Sequence, residues 1–140
     1  MGEVLAEGTK ARGASCLLGP AINIHRSPLG GRAFERFAED HLLTGKIAGA
    51  YVAGLQDNGS SATIKHFVCN DQEHDRMGFN SRDDDRALRE VYLKAFQFAH
   101  KIAQPWEYMT VKQGLWGARF GGSVAAGTKS ERRVGARRNR

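Results

Sequence analysis

The sequence predicts an α/β fold built from parallel βαβ units. Two short apolar runs, residues 15–24 and 62–68, have the composition of strands buried on both faces. A segment with the 3.6-residue periodicity of an amphipathic helix follows each of them. The order strand, helix, strand, helix, strand is typical of a parallel sheet covered by helices. With 140 residues, the chain has room for one ordinary domain.

The first elements of the chain are a helix and a strand. Residues 1–12 mix charged and apolar side chains and predict a helix that ends at Gly13. Residues 15–24 lie between Gly and Pro residues that interrupt regular secondary structure, and they predict the first strand. A loop rich in Gly and Pro then extends from His25 to about Asp40.

The next segment predicts a long helix. Asp40 is a suitable N-cap, and Asp57-Asn58-Gly59 tolerates the left-handed backbone that often ends a helix. We expect one apolar stripe to be its buried face. This stripe comprises Leu43, Ile47, Tyr51 and Leu55, with Ala48 and Val52 beside it.

A second strand, over residues 62–68, precedes the clearest helical pattern in the chain. That helix begins near Asp83-Asp84-Asp85, which we expect to cap it, and Pro105 closes it. Its periodic apolar residues are Leu88, Val91, Tyr92, Ala95, Phe96, Ala99 and Ile102. Residues 108–111 then predict a third strand.

Two or three βα units leave the edges of a parallel sheet unpaired. Such edges are a stability problem, and a complete eightfold α/β barrel needs about 250 residues. The physical pattern therefore predicts a fragment of a larger sheet, with marginal stability on its own.

The net charge of +6 belongs to the C-terminal segment. Residues 112–140 hold eight Lys and Arg residues against Glu131 alone, so residues 1–111 are close to neutral. The segment is also rich in glycine and has little periodicity, which predicts a disordered tail.

Composition bounds the cellular setting. Cys16 and Cys69 lie at apolar runs and are expected to be free thiols, since two cysteines make no disulfide framework. Charged residues interrupt any signal-peptide core near the N-terminus, so a cytoplasmic location is favoured over export. No apolar run approaches the roughly 20 residues of a membrane span, and no membrane partner is expected.

Two polar residues stand late in the second strand. Lys65 and His66 are costly there unless something polar faces them, because strand ends in α/β sheets point toward active sites. A sugar, with several hydroxyls, would suit the donors of Lys and the donor and acceptor of His. From the dipeptide alone, a solvated strand end is an equal alternative.

Arg32 is the second candidate. Gly30 and Gly31 allow a close turn of the backbone, and the guanidinium offers a rigid fork of donors. By itself this tripeptide is a weak signal, and an ordinary surface arginine would explain it.

The longer strings around these residues are far more specific. Residues 23–35 with Glu39-Asp40, and residues 65–73, closely resemble the two substrate-binding segments of glycoside hydrolase family 3, the β-glucosidases. The resemblance covers residues 1 to about 110 and stops near Thr110, where Lys112 replaces an expected tyrosine. His41 also departs from the proline that many relatives carry. A frameshift, an unspliced intron or a miscalled gene model would each explain the break, and a genuine C-terminal innovation is a further alternative.

The resemblance implies a partial (β/α)8 barrel of two to three βα units, over residues 1–111. It implies that Arg32, Lys65 and His66 bind a β-glucoside or oligosaccharide substrate. The family's nucleophile, an aspartate on a later strand, and its acid/base glutamate have no matching positions, so the chain is expected to carry no catalytic residue. A retaining glycosidase needs both groups. Hydrolysis by this chain alone is therefore not expected.

Other carboxylates do not replace the missing pair. Asp71 and Glu73 match family positions that shape a loop, and the three aspartates from Asp83 are assigned to capping. His66 and His74 with these acids fit no standard zinc spacing, so neither a metal nor a cofactor is expected. Asn58-Gly59-Ser60 is a glycosylation sequon, but we expect Asn58 to serve as a helix-ending residue.

Two other function classes stay open. The arginine-rich tail, with Trp116 and Phe120, raises binding of nucleic acid through phosphate contacts, although it contains no recognised binding motif. A non-catalytic sugar-binding remnant would use Arg32, Lys65 and His66. The oligomeric state is not predicted.

Overall fold

The computed structural model describes residues 1–76, 78 and 80–111, and the backbone of residues 114–115, 118–119 and 122–125. Two helices precede the second strand, and they are α1 (Gly2–Ala11) and α2 (His41–Asp57). The later helical segment consists of α3 (Asp85–Ala87), a π-helical turn (Leu88–Tyr92) and α4 (Leu93–Ala103). The α/β class and the partial parallel sheet predicted from the sequence are therefore confirmed.

The strands that the structure describes form two small sheets. The larger sheet has the order β1-β2-β4-β7, and the smaller has the order β3-β5-β6. Their bounds are β1 Cys16–Leu17, β2 Ser61–Phe67, β3 Asn80–Ser81, β4 Glu107–Thr110, β5 Gly114–Leu115, β6 Ala118–Arg119 and β7 Gly122–Ala125. The pairs β1–β2 and β2–β4 are parallel, as the βαβ order predicts.

The first strand is much shorter than residues 15–24. Regular pairing ends at Leu17, and only an isolated bridge from Ala21 to Lys65 continues it. Pro20 has no N–H to donate to a ladder, which explains why the strand is interrupted there. The segment nevertheless runs beside β2, because Ile22 N–H donates to the Lys65 carbonyl and Lys65 N–H donates to the Pro20 carbonyl.

The core lies between the sheet and the helices. Its largest fully buried side chains include Ile22, Val52, Leu55 and Ile64. Phe96 on α4 packs edge-to-face on Phe67 at the end of β2. The sheet is thus anchored on its helical side, and the polar ends of its strands are left for other contacts.

Helix α2 exists where the sequence predicts it, and its predicted buried face is confirmed at Ala48, Val52 and Leu55 but wrong at Leu43 and Ile47. Leu43 is 50% exposed and Ile47 39% exposed, whereas Leu55 is fully buried. Beside Ala48, Val52 and Leu55, the buried face holds the small residues Thr44, Gly45 and Gly49, which the apolar stripe did not include. A Cβ on Gly49 would lie 2.7 Å from Ile102 Cβ. The face is rotated because α4 approaches the α2 backbone directly.

The predicted caps are confirmed. Asp40 accepts a hydrogen bond from Leu43 N–H at 2.5 Å, and Asp84 accepts one from Ala87 N–H at 2.7 Å. Asn58 follows the last turn of α2 and donates from Nδ2 to the Gly54 carbonyl. These side chains satisfy backbone groups that a helix end otherwise leaves unpaired.

The C-terminal segment differs from expectation where the structure describes it. The backbone of β7 pairs antiparallel with β4, and β5 pairs with both β3 and β6. The sequence analysis predicted disorder over residues 112–140, and apart from β5, β6 and β7 that segment lies outside the described residues. Among the described helices, none combines the length and apolarity needed to cross a membrane.

Candidate functional site

The carboxyl ends of β1 and β2 bring the three predicted site residues together. Lys65 and His66 lie near the C-terminal end of β2. Arg32 lies in the loop after β1, just before a 3₁₀ turn at Ala33–Glu35. Arg32 Nη1 lies 2.8 Å from His66 Nε2. The Lys65-His66 and Phe67-Val68 peptide bonds are both cis. A single cluster therefore contains all three side chains named from the sequence.

Glu35 connects the two cations of this cluster. Its Oε2 lies 3.1 Å from Lys65 Nζ, and its Oε1 accepts a hydrogen bond from Arg32 Nε. Burial alone would raise the pKa of Glu35, but the hydrogen bonds from Arg32 and Lys65 outweigh burial and hold the pKa below its usual range. Glu35 is therefore ionised at neutral pH and fixes the spacing of Arg32 and Lys65.

His66 is held by both its main chain and its ring. Asn23 Nδ2 donates to the His66 carbonyl at 2.9 Å, and His66 N–H donates to Asn23 Oδ1 at 2.8 Å. Asn70 Nδ2 lies 3.1 Å from His66 Nδ1. Burial, with the charges of Arg32 and Lys65, lowers the pKa of His66 to about 4. The ring is therefore neutral, as it must be to accept a hydrogen bond from a guanidinium.

Glu73 closes the cluster on the loop after β2. Its Oε1 accepts a hydrogen bond from Asn70 Nδ2 at 3.1 Å and lies 3.7 Å from Arg32 Nη1. Its Oε2 pairs with Arg76 at 3.0 Å. Both carboxylates of the site thus face cations: Glu35 pairs with Arg32 and Lys65, and Glu73 pairs with Arg32 and Arg76.

The cluster is partly open to solvent. The side chains of Lys65 and Arg32 are 13% and 23% exposed, and those of Glu35 and Glu73 are 22% and 15% exposed. Such a surface offers several charge-assisted donors, a neutral imidazole and two carboxylates within one small area. These groups match a ligand with many hydroxyls, since hydroxyls both donate and accept.

The sequence analysis did not identify Glu35 and Asn23 as partners of the three candidate residues. Glu35 stands three residues after Arg32, a spacing at which side chains meet on one helical turn, so the pair had a detectable signal. Asn23 gave no such signal, because its contact with His66 depends on the parallel pairing of two segments far apart in the chain.

Asp71 lies outside the cluster. Its carboxylate is 3.9 Å from Arg26, which also pairs with Asp83 at 3.2 Å. Asp71 Oδ1 is buried and, in the described part of the chain, has no hydrogen-bond partner. Burial raises the pKa of Asp71 to about 6 although Arg36 and Arg26 oppose the shift. This second ionic cluster joins three loops and is separate from the cluster of Arg32, Lys65 and His66.

In the described part of the chain, the cysteines and the possible metal ligands form no second centre. Cys69 is buried, and Cys16 Sγ lies 3.0 Å from Thr63 Oγ1. Both are free thiols, as predicted. Among residues 1–76, 78 and 80–111, no three His, Cys, Asp or Glu side chains are grouped so that they could hold a metal ion.

Comparison with known proteins gives a consistent result. The family model described as glycosyl hydrolase family 3 N terminal domain matches residues 1–109. Probable beta-glucosidase J of Emericella nidulans is 54% identical over 110 residues, which are 79% of this chain and 13% of that protein. Probable beta-glucosidase I of Aspergillus niger is 55% identical over 102 residues. These cover 73% of this chain and 12% of that protein.

Solved structures show the same similarity in three dimensions. Beta-glucosidase 3B from Thermotoga neapolitana, in complex with glucose, superposes with a TM-score of 0.82 at 44% identity, covering 84% of this chain and 16% of that one. Beta-glucosidase from Kluyveromyces marxianus in complex with glucose gives 0.82 at 45% identity, covering 84% and 14%. The chain therefore spans about one seventh of the length of the proteins that it matches.

Proposed function

Because this chain belongs to glycosyl hydrolase family 3, we propose that residues 1–111 form part of the substrate-binding side of a β-glucosidase barrel. In this proposal Arg32, Lys65 and His66 contact the hydroxyls of the terminal glucose unit of a β-glucoside or oligosaccharide. The basic segment from residue 112 lies outside the family match and has no assigned role.

The observation that carries the proposal is the convergence of Arg32, Lys65 and His66 on one partly open surface. Glu35 holds the two cations, and Asn23 fixes the main chain of His66. A site whose donors are already positioned loses less entropy when a polyol binds. The solved glucose complexes of similar chains support glucose as the ligand class.

Hydrolysis by this chain alone is not proposed. A retaining glycosidase needs two carboxyl groups about 5 Å apart, one of them kept protonated as an acid. Glu35 has the opposite property, because its hydrogen bonds from Arg32 and Lys65 lower its pKa. Glu73 is tied to Arg76 and Asn70. The described carboxylates of the site thus support cations and do not form an acid and nucleophile pair.

A glucose titration of the full 140-residue chain, followed by two-dimensional ¹H–¹⁵N NMR, tests the binding proposal. We expect saturable shifts at millimolar glucose, centred on the amides of residues 65–73. Lys65→Ala removes one charge-assisted contact of about 1.5–3 kcal/mol and should weaken binding at least about tenfold. The matched control is Lys46→Ala, because Lys46 is exposed on α2.

Two results would contradict this binding proposal. One is the absence of saturable shifts in the folded wild-type chain, and the other is equal weakening by Lys65→Ala and Lys46→Ala. The accompanying activity assay uses p-nitrophenyl β-D-glucoside and protein from a host strain without β-glucosidase. No turnover is expected, and turnover that disappears in His66→Ala would show that the chain carries chemistry after all.

A further inference from the structure

Arg36 is the most deeply buried arginine of the loop that carries Arg32. It stands one residue after the 3₁₀ turn and is 7% exposed. Burial lowers the pKa of its guanidinium, although Asp71 and Glu73 oppose that shift. A buried charge of this kind is expensive unless its donors are satisfied, so the contacts of Arg36 show what the structure gains from it.

The guanidinium of Arg36 donates to three main-chain carbonyls. Nη1 lies 3.3 Å from the Ile24 oxygen and 2.9 Å from the Asp71 oxygen, and Nη2 lies 2.5 Å from the Asn70 oxygen. Ile24 belongs to the segment after β1, and Asn70 and Asp71 belong to the loop after β2. One side chain thus joins the two loops that follow neighbouring strands.

Both joined loops hold His66. Asn23, the neighbour of Ile24, exchanges two hydrogen bonds with the His66 main chain. Asn70, whose carbonyl accepts from Arg36, places its side-chain amide against His66 Nδ1 and Glu73. A shift of either loop would therefore change the surroundings of the imidazole, although Arg36 donates to main-chain carbonyls and not to the ring.

The chemistry requires a guanidinium at this position. Its nitrogens point in fixed directions within one plane, so a single group can serve carbonyls from two loops. An ammonium on a flexible stem cannot reproduce that arrangement. Removal of Arg36 would leave three carbonyls to find new partners, and each one that stays buried and unpaired would destabilise its loop.

We propose that Arg36 is a positioning residue of the sugar site, which sets the orientation of His66 by clamping the loops that carry Asn23 and Asn70. Arg36 acts through those two asparagines and does not contact the substrate. The relevance to glucose rests on the proposed function, whereas the effect of Arg36 on His66 is independent of any ligand.

The test is an NMR titration of the His66 ring protons in the full chain, without sugar, for wild type and Arg36→Ala. In the wild type His66 should titrate near pH 4. In Arg36→Ala we expect the midpoint to move toward the ordinary value of about 6.5, because the ring loses its fixed neighbours and gains water. Addition of about 20 mM guanidinium chloride should restore the low midpoint by occupying the vacated position, whereas equal sodium chloride should not.

The matched control is Arg86→Ala, which removes an exposed arginine paired only on the surface of the helix. It should leave the His66 titration unchanged. If Arg36→Ala does not fold, Arg36→Lys provides the second variant, because it retains the charge but not the fork. We expect an intermediate midpoint for Arg36→Lys, with no response to guanidinium. An unaltered His66 midpoint in either folded variant would overturn the proposal.

Glucose binding separates this proposal from the function on which it rests. If the wild type binds no glucose but Arg36→Ala still moves the His66 midpoint, the sugar site is wrong and the positioning role stands. If the wild type binds glucose and the variants leave both the midpoint and the affinity unchanged, the positioning role is wrong and the sugar site stands. We expect the third result, a shifted midpoint with glucose binding weakened about tenfold or more.

Discussion

The interface between α2 and α4 and the polar ends of the strands are built by different rules. At the interface, Gly45 and Gly49 allow α4 to approach so closely that an added Cβ would lie within 3.0 Å of its atoms. At the strand ends, Arg32 and Lys65 are positioned by pairing with Glu35, and their side chains stay partly exposed. The first region is determined by shape and the second by paired charge.

This difference predicts opposite responses to substitution. A close-packed interface has no space for an added methyl group, so substitution there should lower the free energy of unfolding and leave the polar cluster unchanged. Substitution in a partly exposed polar cluster should weaken the sugar binding that we propose for it, while the fold changes less. The following predictions test this separation, from the largest expected effect to the smallest.

Gly45→Ala should give the largest loss of stability. Its Cβ would lie 2.6 Å from Phe98 Cβ and 2.9 Å from the Ala95 carbonyl oxygen, so α4 would have to move. Overpacking of this kind costs about 1–3 kcal/mol, which exceeds the gain of about 1 kcal/mol that alanine normally brings to a helix. The measurement is the free energy of unfolding in urea, followed by circular dichroism.

Gly8→Ala on α1 is the matched control. The nearest atom to its added Cβ is Arg12 Nη1 at 3.5 Å, the far end of a flexible side chain. This substitution should therefore stabilise the chain by about 0.5–1 kcal/mol through helix propensity. Equal destabilisation by the two substitutions would show that α2 and α4 are not held by close contact at Gly45.

The sequence predicted elements better than it predicted faces. The position of α2 followed from Asp40, its periodicity and the Asp57-Asn58-Gly59 end, all of which are local signals. Part of its buried face was misassigned, because Leu43 and Ile47 were taken as core, whereas the interface uses glycines whose value appears only when α4 is beside them. Tertiary contact overrode the pattern.

The site shows the same limit. Arg32, Lys65 and His66 were named from strings of residues, and the structure brings them together. The role of Asn23 could not be named, because it pairs with His66 across 43 positions of the chain. The buried guanidinium of Arg36 had no local signature either, since its acceptors are carbonyls, which every residue carries. Contacts to main chain are invisible in composition.

The pH dependence of stability tests the charged region. His66 has its pKa lowered to about 4 in the folded chain, against about 6.5 when unfolded. Between these values the unfolded chain binds a proton that the folded chain does not, so stability falls as the pH falls through this window. Because the ring is partly exposed, we expect this loss to reach about 1–2 kcal/mol at pH 4.5.

Asp71 has the opposite effect in the same window. Its pKa is raised to about 6 in the folded chain, so the folded state gains a proton first and stability rises as the pH falls. The wild-type profile therefore combines two opposing contributions, and His66→Gln separates them. We expect the variant to lose less stability than wild type between pH 7 and pH 4.5. His74→Gln, at an exposed position, should give the wild-type profile. Identical profiles for all three proteins would show that His66 does not contribute to the pH dependence of stability.

The smallest effect should come from an ion pair outside both regions. Arg86 Nε lies 2.9 Å from Glu90 Oε2, but the two side chains are 83% and 58% exposed. Water screens such a pair, and an arginine placed before a glutamate at i, i+4 opposes the helix dipole. Arg86→Ala should therefore change the free energy of unfolding by less than about 0.5 kcal/mol.

A double-mutant cycle with Glu90→Ala measures the coupling between the two side chains, which should disappear in 1 M salt. The Lys65–Glu35 pair has a similar separation of 3.1 Å, yet its side chains are only 13% and 22% exposed. A coupling at Arg86–Glu90 as large as that of Lys65–Glu35 would mean that burial does not distinguish the charges at the strand ends from ordinary surface charges. The contrast between the two regions would then rest on the glycine interface alone.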